Sequence, residues 1–177
     1  MNRRRTLILT TIALLGLAVG LPAADAVAQQ KQRISYKVSA ENSKYTQQHV
    51  IDVGDVPGHQ VRVYELYRSF PGDAPVINGL KVKETWTRAT SDYTDGNGTS
   101  TTYGVMTMEN GDKIFTRGAV IAQSAGGGKL TATGVATITG GTGKFAGIQG
   151  TTRSVTQADT KAGFNETQAE IEYWIVK

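Results

Sequence analysis

The sequence predicts an all-β protein, and within that class an eight-stranded antiparallel up-and-down β-barrel. Three observations carry the prediction. No stretch holds an apolar period of 3.6 residues. Segments rich in Val, Ile, Thr and Tyr alternate with period two, and each join between them carries turn chemistry. The 21 glycines stand against 4 prolines with no triplet repeat, which excludes collagen and implies many tight turns.

Eight strands follow, over residues 33–39, 60–70, 80–93, 99–108, 113–123, 129–139, 151–158 and 167–176. Pro57-Gly58, Pro71-Gly72-Asp73, Asp95-Gly96-Asn97-Gly98, Asn110-Gly111-Asp112, Gly126-Gly127-Gly128 and Gly140-Gly141-Thr142-Gly143 punctuate them. Residues 40–59 form the least patterned connection, with a short strand at 49–53. Near-regular spacing favours closure into a barrel, because closure removes exposed strand edges. An open two-sheet sandwich is the competing architecture. An eight-stranded barrel has room inside for side chains or one small ligand.

The alternation assigns faces. Ile34, Tyr36 and Val38 share one; Leu80, Val82, Glu84, Trp86 and Arg88 share another; Val61, Val63, Glu65 and Tyr67 a third; Ala169, Ile171, Tyr173 and Ile175 a fourth. The strand at 113–123 is apolar on both faces, with Ile114 and Val120 opposing Phe115, Ala119 and Ile121. A strand of that kind is often covered outside as well as inside, which points to a homo-oligomer, a dimer or trimer.

The first 28 residues read as a secretory signal peptide, leaving 29–177 as a single β-barrel domain. Arg3, Arg4 and Arg5 precede an apolar run from Leu7 to Leu21, and Ala26-Val27-Ala28 is a small-x-small cleavage site. The run is too short and too interrupted to span a bilayer. Arg4-Arg5 also loosely resembles a twin-arginine export signal. Export to a periplasmic or extracellular compartment is the expectation, with no membrane span. Loss of Arg3, Arg4, Arg5 and Asp25 lowers the net charge from +4 to about +2, and basic residues do not interleave with aromatics, so nucleic acid is not an expected partner.

The chain has no cysteine, which excludes disulfides, thiolate metal sites and a cysteine nucleophile. Its two histidines, His49 and His59, flank a Gly/Pro-containing connection and are expected in solvent, with no metal site and no Ser-His-Asp triad. Asn97-Gly98-Thr99 and Asn165-Glu166-Thr167 match the glycosylation pattern.

Polar residues on otherwise apolar strand faces are the candidates for chemistry. Glu65 and Glu84 could approach on neighbouring strands, where desolvation would raise a carboxyl pKa enough for general acid–base work, and Arg88 could steady an oxyanion. Tyr36, Tyr67, Trp86 and Tyr103 would supply flat walls and phenolic donors around a ligand. Glu84 and Arg88 are equally read as a structural ion pair, and a one-residue offset would turn Glu65 outward.

Gly143-Lys144 suggests a phosphate loop, but the spacing fails: Ile138 and Phe145 stand where glycine and Ser/Thr are required. The segment Gly140-Gly141-Thr142-Gly143-Lys144-Phe145, followed by Gly150, instead resembles the Gly-Gly-Thr-Gly-x-Phe signature of dirigent proteins and the related allene oxide cyclase-like barrels. Residues 113–123 are similar in placement to the strand before that motif strand, and Ala169-Glu-Ile-Glu-Tyr-Trp-Ile-Val176 resembles the closing strand. The resemblance covers about half of the chain after the leader. It implies an eight-stranded barrel, often trimeric, that binds a hydrophobic small molecule in its lumen and steers its cyclisation, isomerisation or coupling without metal or organic cofactor. Catalytic residues do not carry over, because the N-terminal half has no counterpart. A cofactor-independent cyclase or isomerase and a non-catalytic structural or interaction protein with a filled core both remain open.

Overall fold

The computed structural model describes residues 30–159 and 161–176; the expected leader lies outside them. Among the described residues, ten strands form one antiparallel sheet: β1 (Gln32–Val38), β2 (Ser43–Asp52), β3 (His59–Ser69), β4 (Val76–Ile77), β5 (Leu80–Thr94), β6 (Asn97–Met108), β7 (Lys113–Gly126), β8 (Lys129–Gly141), β9 (Ile148–Asp159) and β10 (Phe164–Ile175). Each of the eight expected segments is a strand within a few residues of its expected ends, and the least patterned connection holds β2, longer than expected.

The count of eight and the closed barrel are both corrected. Hydrogen-bonded neighbours run β1-β10-β9-β8-β7-β6-β5-β3-β2, with the two-residue β4 paired on β5, so β1 and β2 are the two ends of the path and are not paired with each other. The reason lies in Ser39-Ala40-Glu41-Asn42-Ser43. A single 3-10 turn over Ala40–Asn42 interrupts the first stretch, so β1 pairs with β10 and β2 pairs with β3. Only that turn separates two strands at opposite ends of the path. The sheet must therefore curl until its ends are neighbours, leaving a seam that no backbone ladder closes.

Side chains bridge the seam. Arg68 Nη2 on β3 donates to Thr167 Oγ1 at 3.0 Å and Asn165 Oδ1 at 3.3 Å on β10, and Asn165 Nδ2 donates to Tyr45 OH on β2 at 3.3 Å. On the outer surface Arg33 Nη2 meets Glu172 at 2.8 Å and Lys37 meets Glu166 at 3.0 Å, holding β1 to β10. Such exposed pairs align strands more than they stabilise them.

One end of the curled sheet is filled. Ile77, Leu80, Val82, Met108, Ile114, Ile138, Phe145, Ile148, Ile171 and Tyr173 form a buried apolar cluster. Phe145 has no exposed surface and sits in a second 3-10 turn, Gly143–Phe145. Gly143 at φ 54° and Gly147 at φ 78° make this connection possible, since both angles lie in the left-handed region that favours glycine. Asp112 accepts from the Lys144 amide at 3.0 Å and anchors the same turn. Tyr173 OH donates to Gln32 Oε1 at 2.6 Å and accepts from the Asn78 amide at 2.8 Å, so its buried hydroxyl is satisfied.

On the outer face of β7 and β8, Ile121 is 60% and Val135 58% exposed. Among the described residues, no helix is long and apolar enough to cross a membrane.

Candidate functional site

A cavity of about 900 Å³ opens above the apolar cluster, inside the curled sheet. Its deep wall includes Val38, Leu66, Met106, Ile114, Ala169 and Ile171. Small residues on β8 (Ala132, Gly134 and Ala136) leave the space unfilled. The remaining wall is rich in hydroxyls, among them Thr87, Ser91, Thr102, Thr116, Thr152, Ser154 and Thr156. The lining is therefore mixed, not chiefly apolar as a greasy lumen would require.

The seam side is aromatic and cationic. Tyr45 and Tyr64 stack edge to face at 5.5 Å, and the Arg62 guanidinium lies 4.3 Å from the Tyr64 ring centre. Tyr36 packs against Phe70 at 6.0 Å. Burial raises the Tyr36 phenol above its ordinary pKa, and burial together with Tyr45 and Tyr93 pushes Tyr64 up to about 12. At neutral pH these phenols are donors, not bases.

Arg68 stands among these tyrosines. Burial lowers its pKa, yet a guanidinium starts so high that it remains a cation. Its Nε is enclosed and has no hydrogen-bond partner among the described residues. No carboxylate among the described residues pairs with it either; its two bonds go to the neutral oxygens of Asn165 and Thr167.

Of the residues the sequence singled out, Tyr36 faces this cavity. Glu65, Glu84, Arg88, Tyr67 and Tyr103 project from the opposite, outer face, which corrects the inward faces expected for them; Trp86 shares that outer parity and packs on Tyr67, while part of it borders the cavity. In β5 the cause is a bulge between Val82 and Glu84. It adds one residue and inverts the alternation, so Leu80 and Val82 point in while Glu84, Trp86 and Arg88 point out. In β3 the inner parity belongs to Arg62, Tyr64, Leu66 and Arg68, with Leu66 only 4% exposed.

Glu65 and Glu84 do not meet. Glu65 lies opposite Arg88 in the β3–β5 register and Glu84 opposite Ser69. Glu65 Oε2 pairs with Arg88 Nη2 at 2.7 Å and its Oε1 accepts from Thr46 at 2.7 Å. Glu84 accepts from Trp86 Nε1 at 3.1 Å, so the expected Glu84–Arg88 pair is replaced by Glu65–Arg88. Tyr67 and Trp86 pack at 4.8 Å beside that pair, and Tyr103 is 52% exposed. These contacts form a polar-aromatic surface stripe.

Arg62, Arg68, Tyr45, Tyr64, Asn165 and Thr167 are the cavity residues the sequence did not single out. The Arg62-x-Tyr64-x-Leu66-x-Arg68 alternation in β3 was the available signal. Asn165 is buried against Arg68, so only Asn97 of the two glycosylation patterns presents an exposed side chain.

His59, expected in solvent, is held between two carboxylates at the far rim. Its Nδ1 lies 2.6 Å from Asp55 Oδ1 and its Nε2 2.8 Å from Asp92 Oδ1. Both ring nitrogens must donate, so the imidazolium is favoured: hydrogen bonds to Asp92 and Asp55 raise the His59 pKa above its ordinary 6.5. A raised folded-state pKa contributes stability that is fully present below 6.5 and is lost as pH rises through the higher folded value. The midpoint temperature of the wild type should therefore exceed that of His59→Gln at pH 6 and converge with it by about pH 9. A constant difference across this range would show that protonation is not involved.

No protein-family model matches the chain, and no curated protein matches it.

Proposed function

We propose that the chain is an exported lumen-binding protein that takes a lipophilic small organic molecule into the cavity of its curled sheet. In the manner of the dirigent and allene oxide cyclase-like barrels it resembles, it would steer cyclisation, isomerisation or coupling of that molecule by shape. The observation that carries this proposal is the cavity of about 900 Å³ with an apolar floor and tyrosine walls. Pockets that enclose small organic ligands have this size and mixture. A structural protein with a filled core would not maintain it.

Steering by shape needs few reactive groups, because holding a flexible reactant near its attack geometry removes much of the entropic barrier. Tyr36, Tyr45, Tyr64 and Arg68 would orient and donate; the glutamates Glu65 and Glu84 are turned away and take no part. The proposed dimer or trimer would cover Ile121 and Val135 with a second copy of the chain.

The test is uptake of the neutral fluorophore N-phenyl-1-naphthylamine by the full chain. Saturable uptake of one probe per chain is expected, abolished in Ala132→Trp, which fills the lumen from β8. Absence of saturable uptake, or uptake unaffected by that filling, rejects the proposal. Native mass spectrometry of the same samples counts subunits and retained cargo.

A further inference from the structure

We propose that the ligand of this cavity is an amphipathic organic anion, a monocarboxylate with an apolar body, whose carboxylate is received by Arg68. The inference rests on the lumen-binding proposal and specifies the chemistry of its ligand.

The argument starts from what Arg68 lacks. A guanidinium carries five donor hydrogens in a planar fork suited to two oxygens of one carboxylate. Among the described residues, Nη2 is engaged by a threonine hydroxyl and an asparagine carbonyl, both neutral. Among the described residues Nε has no partner and no acidic residue pairs with Arg68. Removing a cation from water without a counter-charge is unfavourable, and natural buried charges are almost always paired. Arg68 is half-buried and lines the cavity, so the counter-charge it lacks is one that an anion entering the cavity would supply.

Position identifies the kind of anion. Arg68 lines the cavity together with Tyr36, Tyr45 and Tyr64; burial raises the Tyr36 and Tyr64 phenols, which keep their protons and can donate to the same oxygens. The acidic groups lining the cavity are Asp95, in the turn after β5, and Asp159, the last residue of β9, whose Oδ1 accepts from the Lys161 and Ala162 amides; neither forms an ion pair with Arg68 among the described residues. Leu66, Met106, Ile114, Ala169 and Ile171 line the space beyond the guanidinium. A small inorganic ion would satisfy the charge and leave that apolar wall in contact with water. A carboxylate with a hydrocarbon or aromatic body satisfies both.

The experiment displaces N-phenyl-1-naphthylamine from the full chain with decanoate, with decan-1-ol and with inorganic phosphate. Wild type is expected to favour decanoate over decan-1-ol by on the order of tenfold or more, the scale of a charge-assisted hydrogen bond. Phosphate should displace nothing. Arg68→Met, with each competitor measured against that variant's own affinity for the neutral probe, should bring decanoate and decan-1-ol to similar affinities. Arg68→Gln, which keeps a donor for Thr167 and Asn165, serves the same purpose should the methionine variant fail to fold.

Equal affinities in wild type, or a decanoate preference that survives in a folded Arg68 variant, overturns the inference while leaving lumen binding intact. Displacement by phosphate replaces it with a plain anion site. If wild type takes up neither the neutral probe nor decanoate, lumen binding fails and the inference falls with it.

Discussion

Phe145→Ala should cost about 3–5 kcal/mol, the usual loss when a fully buried phenylalanine is truncated. Phe145 has no exposed surface and occupies the cluster that seals one end of the curled sheet, with Ile77, Met108, Ile114, Ile148 and Tyr173. The loss should be at the upper end because the site cannot easily collapse. Its turn is held by Asp112 through the Lys144 amide, and its neighbours belong to strands locked in a continuous ladder. For a domain of this size the midpoint temperature should fall by roughly 10 °C. Ile121→Ala is the control: that side chain is 60% exposed on the outer face and should change stability by less than about 1 kcal/mol. Urea unfolding of the three proteins measures both values. A Phe145→Ala loss below about 1 kcal/mol would mean that the Gly-Gly-Thr-Gly-Lys-Phe segment shapes a loop and does not seal a core.

That segment also shows which information lay in the sequence. Glycine clusters marked the strand ends because a left-handed φ is a local property, as at Gly143 and Gly147. The apolar sets Ile34/Tyr36/Val38 and Ala169/Ile171/Tyr173 predicted the inner faces of β1 and β10 because those strands pair without a register shift. Face assignment in β5 failed for a physical reason. The bulge between Val82 and Glu84 arises from pairing with β6, and one added residue inverts every side chain after it. The Glu84/Trp86/Arg88 face therefore carried the candidate site outward.

β3 failed differently. Val61 and Val63 argue for one face and Leu66 for the other, and an arginine is ordinarily assigned to solvent. Arg68 is inside because Asn165 and Thr167 receive it, and these lie 97 and 99 residues away. No local pattern contains that partnership. The broken first strand is similar: the turn at Ala40–Asn42 is short enough to pass for a connection, yet it decides that the sheet has a seam.

The seam supplies the second large effect. Substituting Asn165→Leu and Thr167→Val together removes both oxygens that receive Arg68 while keeping similar volumes. The guanidinium would then be enclosed with no partner on either Nε or Nη2. Stripping a buried charge of its partners typically costs about 3–5 kcal/mol, and that loss is expected here. Adding Arg68→Met to the double variant should recover much of it, because the penalty belongs to the stranded charge and not to the lost bonds as such. Apolar replacement of buried polar groups of similar shape is often close to neutral. Urea unfolding of the double and triple variants makes the comparison, and a triple variant no more stable than the double would show that the charge is not the source of the cost. Recovery would leave a sharper conclusion. A seam that an apolar side chain can hold has no structural need of a cation, so the retention of one beside an open cavity would be explained by what enters that cavity.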